Sequence, residues 1–277
     1  MQEWHRILSK TMSHGTIRND RTGVGTYALF AEKLVFDNSF LFPAVTTKQL
    51  GMGQVCAELA CFLRGYDNLH EFHSLGCKIW DGNGSADYWL PRARVAGDLG
   101  RIYGVQWRDW RSVGLSNEIV HTDQLQQLVE GMHKEPHGRR HVVTAFNPGE
   151  LSQMCLPPCH VLFQAFVTHD YKVDLLVFMR SVDLFLGLPF DIASYAILQR
   201  LLAKELGLPS GFLTFFTGDT HIYLNHQDAV HEVLSREVRS EPTMSLHPDA
   251  GLFNFLPEHA ALQGYNPHPA IAAPLNV

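Results

Sequence analysis

Nowhere in the 277 residues does a run of apolar residues approach the ~20 that cross a bilayer, and the opening MQEWHRILSK lacks the apolar stretch of a signal peptide. A soluble, cytoplasmic protein without a membrane partner is expected. Basic residues do not prevail either: 22 Lys and Arg stand against 28 Asp and Glu, a formal charge of −6, which disfavours nucleic acid as a partner. Cysteine is scarce and odd in number. Cys56, Cys61, Cys77, Cys155 and Cys159 form no CxxC pair, so neither a disulfide framework nor a structural metal is expected. Internal repeats and low-complexity tracts are absent, which excludes solenoids. With 45% apolar and 18% charged residues the chain has what a folded core needs, and disorder is excluded for most of it.

Periodicity predicts a mixed order of helices and strands. Trp4, Ile7, Leu8 and Met12 fall at helical spacing over 2–14, Gly25 to Phe36 alternates like a strand, and Val55 to Leu63 is apolar enough for a buried helix. An amphipathic helix is predicted from His121 to His133. Three β-type runs follow, His141 to Ala145, Val161 to Thr168 and Lys172 to Phe178, expected as neighbours in one sheet. Ile192 to Leu206 and Asn225 to Ser235 read as helices, and no βαβ repeat is apparent. Gly, Pro and mixed charge make Asp81 to Asp98 a surface loop, and the tail from Glu258 is either frayed or docked.

Several constellations could carry chemistry, each with a plainer reading beside it. Cys159 follows two prolines at the head of a β-type run, as a core thiol or a nucleophile. Arg180 heads Arg-Ser181-Val-Asp183, where its guanidinium is a surface ion-pair partner, or a fork for phosphate that also favours a nearby thiolate. Arg21, Arg139 and Arg140 stand at the edges of other β-type runs, solvated or gathered into an anion site. Glu58 lies in an apolar stretch, where a carboxylate is paired, protonated or working. Asp191 is either the cap of the long helix or a ligand group, and Trp80 either core or a stacking surface. The stretch Gly218-Asp-Thr-His221-Ile-Tyr223 is dense in hydrogen-bonding groups, as a turn or as a sugar-binding corner.

Taken together and in order, these segments are far more specific than any one of them. Arg18-Asn-Asp-Arg-Thr-Gly, Phe42-Pro-Ala-Val-Thr-Thr-Lys48, Ile79-Trp-Asp81, Asp98-Leu-Gly-Arg-Ile-Tyr103, Arg139-Arg140, Pro158-Cys-His160, Arg180-Ser-Val-Asp183, Phe185-Leu-Gly-Leu-Pro-Phe190, Gly218 to Tyr223 and His268-Pro-Ala-Ile271 resemble the folate-dependent thymidylate synthase family along nearly the whole chain. The resemblance implies a single α+β catalytic domain over 1–277 with residues 82–97 as a loop insertion. It implies large mixed β-sheets packed back to back in a homodimer, with flanking helices. By resemblance, Arg21, Arg180, Ser181 and a second subunit's Arg139 and Arg140 hold a nucleotide phosphate, and His221 and Tyr223 the ribose. Lys48, Trp80, Asp183 and Val277 touch 5,10-methylenetetrahydrofolate. Cys159 adds to C6 of the pyrimidine with Arg180 keeping the thiol ionised, Glu58 organises water and protons, and Tyr103 assists loss of the C5 proton.

One departure bears on the substrate. Members that use dUMP carry Leu-Pro-Phe-Asn where this chain has Leu188-Pro-Phe-Asp191. An ionised Asp only accepts hydrogen bonds, which suits the 4-amino group of cytosine and opposes O4 of uracil; the mismatch costs about 1–3 kcal/mol. The family's dCMP hydroxymethylases also carry Asp here. Trp80 and the closing tail resemble those of methylating members, which makes methylation of dCMP the leading expectation. Hydroxymethylation is the alternative, because the 82–97 loop is long, Asn83 replaces a second Trp and Met179 replaces a Gln. Gln49 and Gly51 also depart from the commoner pattern near the folate tail. Ordinary dUMP methylation would require a protonated Asp191.

Overall fold

Twelve residues of alternating burial, interrupted at Ala31, whose φ is positive, build the long strand on which the sheet is laid out. The computed structural model describes residues 1–276. In chain order the elements are α1 (Gln2–His14), β1 (Thr16–Arg18), β2 (Thr26–Asp37), α2 (Met52–Arg64), α3 (Leu69–Ser74), α4 (Asp81–Gly84), α5 (Tyr103–Arg108), β3 (Trp110–Val113), β4 (Ile119–Thr122), α6 (Gln124–Lys134), β5 (Val142–Thr144), β6 (His160–Val167), β7 (Val173–Asp183), α7 (Gly187–Glu205), β8 (Ser210–Tyr223), α8 (Gln227–Ser235), β9 (Thr243–Leu246) and β10 (Ala260–Gln263). Six strands form one mixed sheet in the order β1-β2-β8-β7-β6-β5, and two hairpins, β3–β4 and β9–β10, stand apart from it. All pairs in the large sheet are antiparallel except β7 with β8.

That parallel pair requires a crossover, and α7 supplies it. The helix is apolar almost all round and packs on β7 and β8, while α1 covers β2 and β8 and α2 packs on α7. Together they bury the inner face of the sheet around Trp4, Leu34, Phe163, Val177, Leu198 and Phe215. The outer face stays apolar and open: Phe178 pairs across the sheet with Leu162 on one side and Phe216 on the other. Phe30, Phe166 and Phe212, each more than half exposed, extend it.

Three expectations need correction. Residues 81–98 are not a loose loop: they hold α4 and a short 3₁₀ turn at Leu90–Arg92, and Trp89 is 1% exposed, its Nε1 donating to the Asp98 carbonyl at 2.6 Å. The helix α6 begins at Gln124, because His121 and Thr122 finish β4 and Asp123 caps the helix through its side chain. The long helix begins at Gly187, five residues before Ile192, because Pro189 in its first turn has no amide proton to leave unbonded. Asp191 therefore lies inside the helix and is not its cap. The tail is docked: Tyr265 donates to the Val45 carbonyl, the His268 amide to Thr46, and the Pro274 carbonyl accepts from His226 Nε2.

Candidate active site

The C-terminal ends of β7 and β8, the turn before β6 and the first turns of α7 converge on a cavity of about 1240 Å³, with α2, α5 and the Trp80 turn forming its other wall. Gly218 is what lets the two parallel strands close there, since a Cβ would stand 2.7 Å from the Arg180 carbonyl oxygen. One end of the cavity is cationic and hydroxylic, with Arg18, Arg21, Arg180, Ser181, His221 and Tyr223 in its wall. His221 is braced through Nδ1 by Asp219 Oδ1 at 2.9 Å, and Arg18 holds the other carboxylate oxygen at 2.7 Å. This brace was not visible in the sequence beyond the density of polar residues around Asp219.

Cys159 sits at the head of β6, and its backbone amide donates to Tyr103 Oη at 2.8 Å. Arg180 Nη2 is 4.0 Å from Sγ, but its stronger hydrogen bonds go to the Pro157 and Pro158 carbonyls, both at 2.8 Å. Burial pushes the Cys159 thiol up, Arg180 partly opposes it, and the nearby Asp191 charge adds to the rise. Burial likewise drives the Tyr103 hydroxyl far above its usual range, so it is a protonated hydrogen-bonding group and not an anion.

Deeper in the cavity, Glu58 on α2 accepts from Trp80 Nε1 at 2.7 Å, and burial pushes its carboxyl up to about 7. Asp191 faces it from α7 and pairs with His160 Nε2 at 2.8 Å. His160 was singled out in the sequence only as the neighbour of Cys159; its partner, thirty-one positions on, is brought to it by the β6–β7 hairpin and the turn into α7. Trp80, 5% exposed, packs edge-on against Phe62 and Tyr103 and presents its remaining edge to the cavity. Tyr88 and Arg92, from the segment expected to be a loop, also line this wall.

Other expected site residues fall elsewhere. Lys48 is buried beneath the turn into α7, its Nζ donating to the Phe185 carbonyl at 2.5 Å and lying 4.0 Å from the Phe185 ring centroid; burial lowers it to about 8. It shapes the turn and does not line the cavity. Asp183 lines the cavity and also accepts from the Phe185 and Leu186 amides. Arg139 and Arg140 are exposed and border a separate hollow with Gln124, Lys134 and His141. Val277 lies outside the described residues. No cluster of metal-ligating side chains occurs among the described residues, nor any helix long and apolar enough to cross a membrane.

The thymidylate synthase family model matches residues 2–277. A relative from Escherichia phage T5, described as a probable thymidylate synthase, is 42% identical over 288 aligned residues that cover the whole of both chains.

Proposed function

The chain belongs to the thymidylate synthase family, and on that premise we propose that it transfers a one-carbon unit to C5 of dCMP, giving 5-methyl-dCMP, within a single catalytic domain of a homodimer. Folate-dependent one-carbon transfer to a pyrimidine nucleotide is the family's reaction, and 5,10-methylenetetrahydrofolate is its one-carbon donor. The observation that carries the choice of base is Asp191, a carboxylate in the cavity wall already hydrogen-bonded by an imidazole. A second reading, thymidylate formation from dUMP, is favoured by the description of the T5 relative; it needs Asp191 to donate to O4, which only the protonated carboxyl can do.

The cavity suits two ligands at once, being larger than the roughly 300–1,000 Å³ of a single small-molecule site. Arg21, Arg180 and Ser181 bind the phosphate, with Arg139 and Arg140 contributed by a second subunit, and His221 and Tyr223 meet the sugar. The open row Leu162–Phe178–Phe216 supports the dimer, because a contiguous apolar sheet face calls for a cover. Trp80 and the apolar rim at Leu275 face the folate, with Asp183 beside them. Bound there, the folate supplies the methylene unit and, for methylation, the hydride.

Cys159 loses its proton as the nucleotide binds and attacks C6, placing electron density on the ring that C5 then uses as a nucleophile. Glu58, titrating near neutrality, gives and takes the protons at the base. Tyr103 orients the sulfur through the Cys159 amide and assists loss of the C5 proton. The docked tail and Trp80 exclude water from the exocyclic methylene, which favours methylation over hydroxymethylation. The test is incubation with dCMP or dUMP and methylenetetrahydrofolate, following dihydrofolate by absorbance and nucleotide mass together. A methyl-mass product from dCMP with equimolar dihydrofolate is expected. A hydroxymethyl mass without dihydrofolate would make the enzyme a hydroxymethylase, and product from dUMP alone would overturn the choice of base.

A further inference from the structure

Asp219, His221 and Tyr223 alternate along β8, so their side chains share one face, and the register sets Asp219 beside Ser181 and His221 beside Asp183 of β7. All five line the cavity. His221, 8% exposed, stands edge-on to the Tyr223 ring with centroids 5.1 Å apart, which limits its rotation. Its Nδ1 meets Asp219 Oδ1 at 2.9 Å, and Nε2 has no protein partner among the described residues. The other carboxylate oxygen, Oδ2, accepts from Arg18 Nη1 at 2.7 Å. Arg18 ends β1, shortly before Arg21, so one carboxylate ties the sugar corner to the loop that carries the phosphate arginine.

An arginine only donates and an ionised carboxylate only accepts, so this chain of contacts runs in one direction. The hydrogen bond from His221 and the Arg18 charge hold the Asp219 carboxyl below its usual range. Its second oxygen therefore takes a proton from Nδ1, and in the neutral ring the lone pair is left on Nε2. We propose that Asp219 is a specificity-determining positioning residue: by fixing this tautomer it makes His221 an acceptor, so that the site requires a hydrogen-bond donor on the sugar. In a 2′-deoxynucleoside 5′-monophosphate that donor is the 3′-hydroxyl, the one free hydroxyl of the sugar. The proposal rests on the reading of His221 as a sugar contact and is independent of the base. The Arg18–Asp219 pair is partly exposed and adds little stability by itself. Its role is to occupy one oxygen and aim the other.

Asp219→Asn reverses the direction. Arg18 takes the amide carbonyl, which turns the NH₂ toward Nδ1 and moves the ring proton to Nε2. Calorimetry without folate at about pH 8, above the ordinary imidazole range, compares dCMP and dUMP with their 3′-fluoro analogues, whose fluorine cannot donate. The unaltered protein should bind the hydroxyl compound about fivefold or more tightly than its fluoro analogue. A smaller gap refutes the reading of His221 as a sugar contact, and the inference with it. Asp219→Asn should narrow the gap by about threefold or more, and a smaller change refutes the role of Asp219 alone. The tautomer is read independently from the ¹⁵N shifts of the ring, assigned by their loss in His221→Asn. A proton on Nδ1 in the unaltered protein and on Nε2 in Asp219→Asn is expected, a reversal that loosened packing would not produce. Should Asp219→Asn fail to fold, the unaltered protein decides: a proton on Nδ1 supports the inference, and one on Nε2 overturns it.

Discussion

Glu58→Gln should make the protein more stable above neutral pH while disabling it. The side chain hangs from a largely apolar, buried stretch of α2, and its carboxyl is displaced from an ordinary 4.5 to about 7, chiefly by burial. An unfolded chain releases this proton near the lower value and the native chain only near the higher. Between them the unfolded state binds fewer protons, so native stability falls as pH rises. At 1.36 kcal/mol per tenfold change, the displacement amounts to about 3 kcal/mol as an upper figure, since the cavity admits some water. Gln keeps an acceptor for Trp80 Nε1 and cannot titrate. Urea melts of both proteins at intervals from about pH 5 to about pH 8 should show the variant gaining steadily on the parent and then holding a constant lead, while turnover falls by about 10²–10⁴ with the proton shuttle lost. Two stability curves that stay parallel throughout would refute the assignment of a raised Glu58.

Asp191→Asn should move the preference from dCMP toward dUMP by about tenfold or more, measured as the ratio of kcat/KM values; an unchanged ratio removes the argument from the carboxylate. Because burial raises the Cys159 thiol, iodoacetamide labelling should keep accelerating into the alkaline range, with one cysteine modified per chain, as the other four are enclosed; a rate that levels off below neutrality contradicts it. Mixing Cys159→Ala subunits with subunits lacking Arg139 and Arg140 should restore activity that neither has alone, and failure after verified subunit exchange speaks against shared arginines. Asp98→Ala should cost about 2 kcal/mol, read in urea melts, because the carboxylate accepts from the Arg94 and Gly100 amides and pairs with the Arg94 guanidinium; an unchanged midpoint denies that this pair anchors the 82–97 segment.

Strand alternation and helical spacing were enough to locate α1, β2 and the β5–β6–β7 meander, which bury one face, and a continuous apolar run located α2, which is buried nearly all round. The long strand β8 was not read as one element: Gly211 and Gly218 look like breaks, yet Gly218 answers a close approach to β7 that only the folded sheet reveals. Residues 81–98 look loop-like for the same kind of reason. Their glycines and charges obscure one buried Trp and one buried carboxylate, which tie the segment down. Among the candidate site residues, Cys159, Arg21, Arg180, His221 and Tyr223 stand out as motifs and line the cavity, whereas Arg139 and Arg140, equally visible, border a separate hollow. Lys48, also part of a motif, lies beneath the turn into α7 and outside the cavity lining, a placement that depends on side-chain direction. The pairing of His160 with Asp191 escaped because it depends on side-chain direction across two elements.

The sheet order also sets a timetable for the polypeptide. β6 and β7 are joined by a few residues and can zip locally, which brings Cys159 beside Arg180 early. The pairing of Ala28 with His221, by contrast, closes about 190 residues of chain and has to wait for most of it. His221 thus reaches Cys159 only as β8 docks on β7, and Arg21 only as β2 docks on β8. A chain caught before that step carries a reactive sulfur without a site around it, so catalytic competence should return with the slowest refolding phase, and no shorter piece of the protein should carry out the reaction.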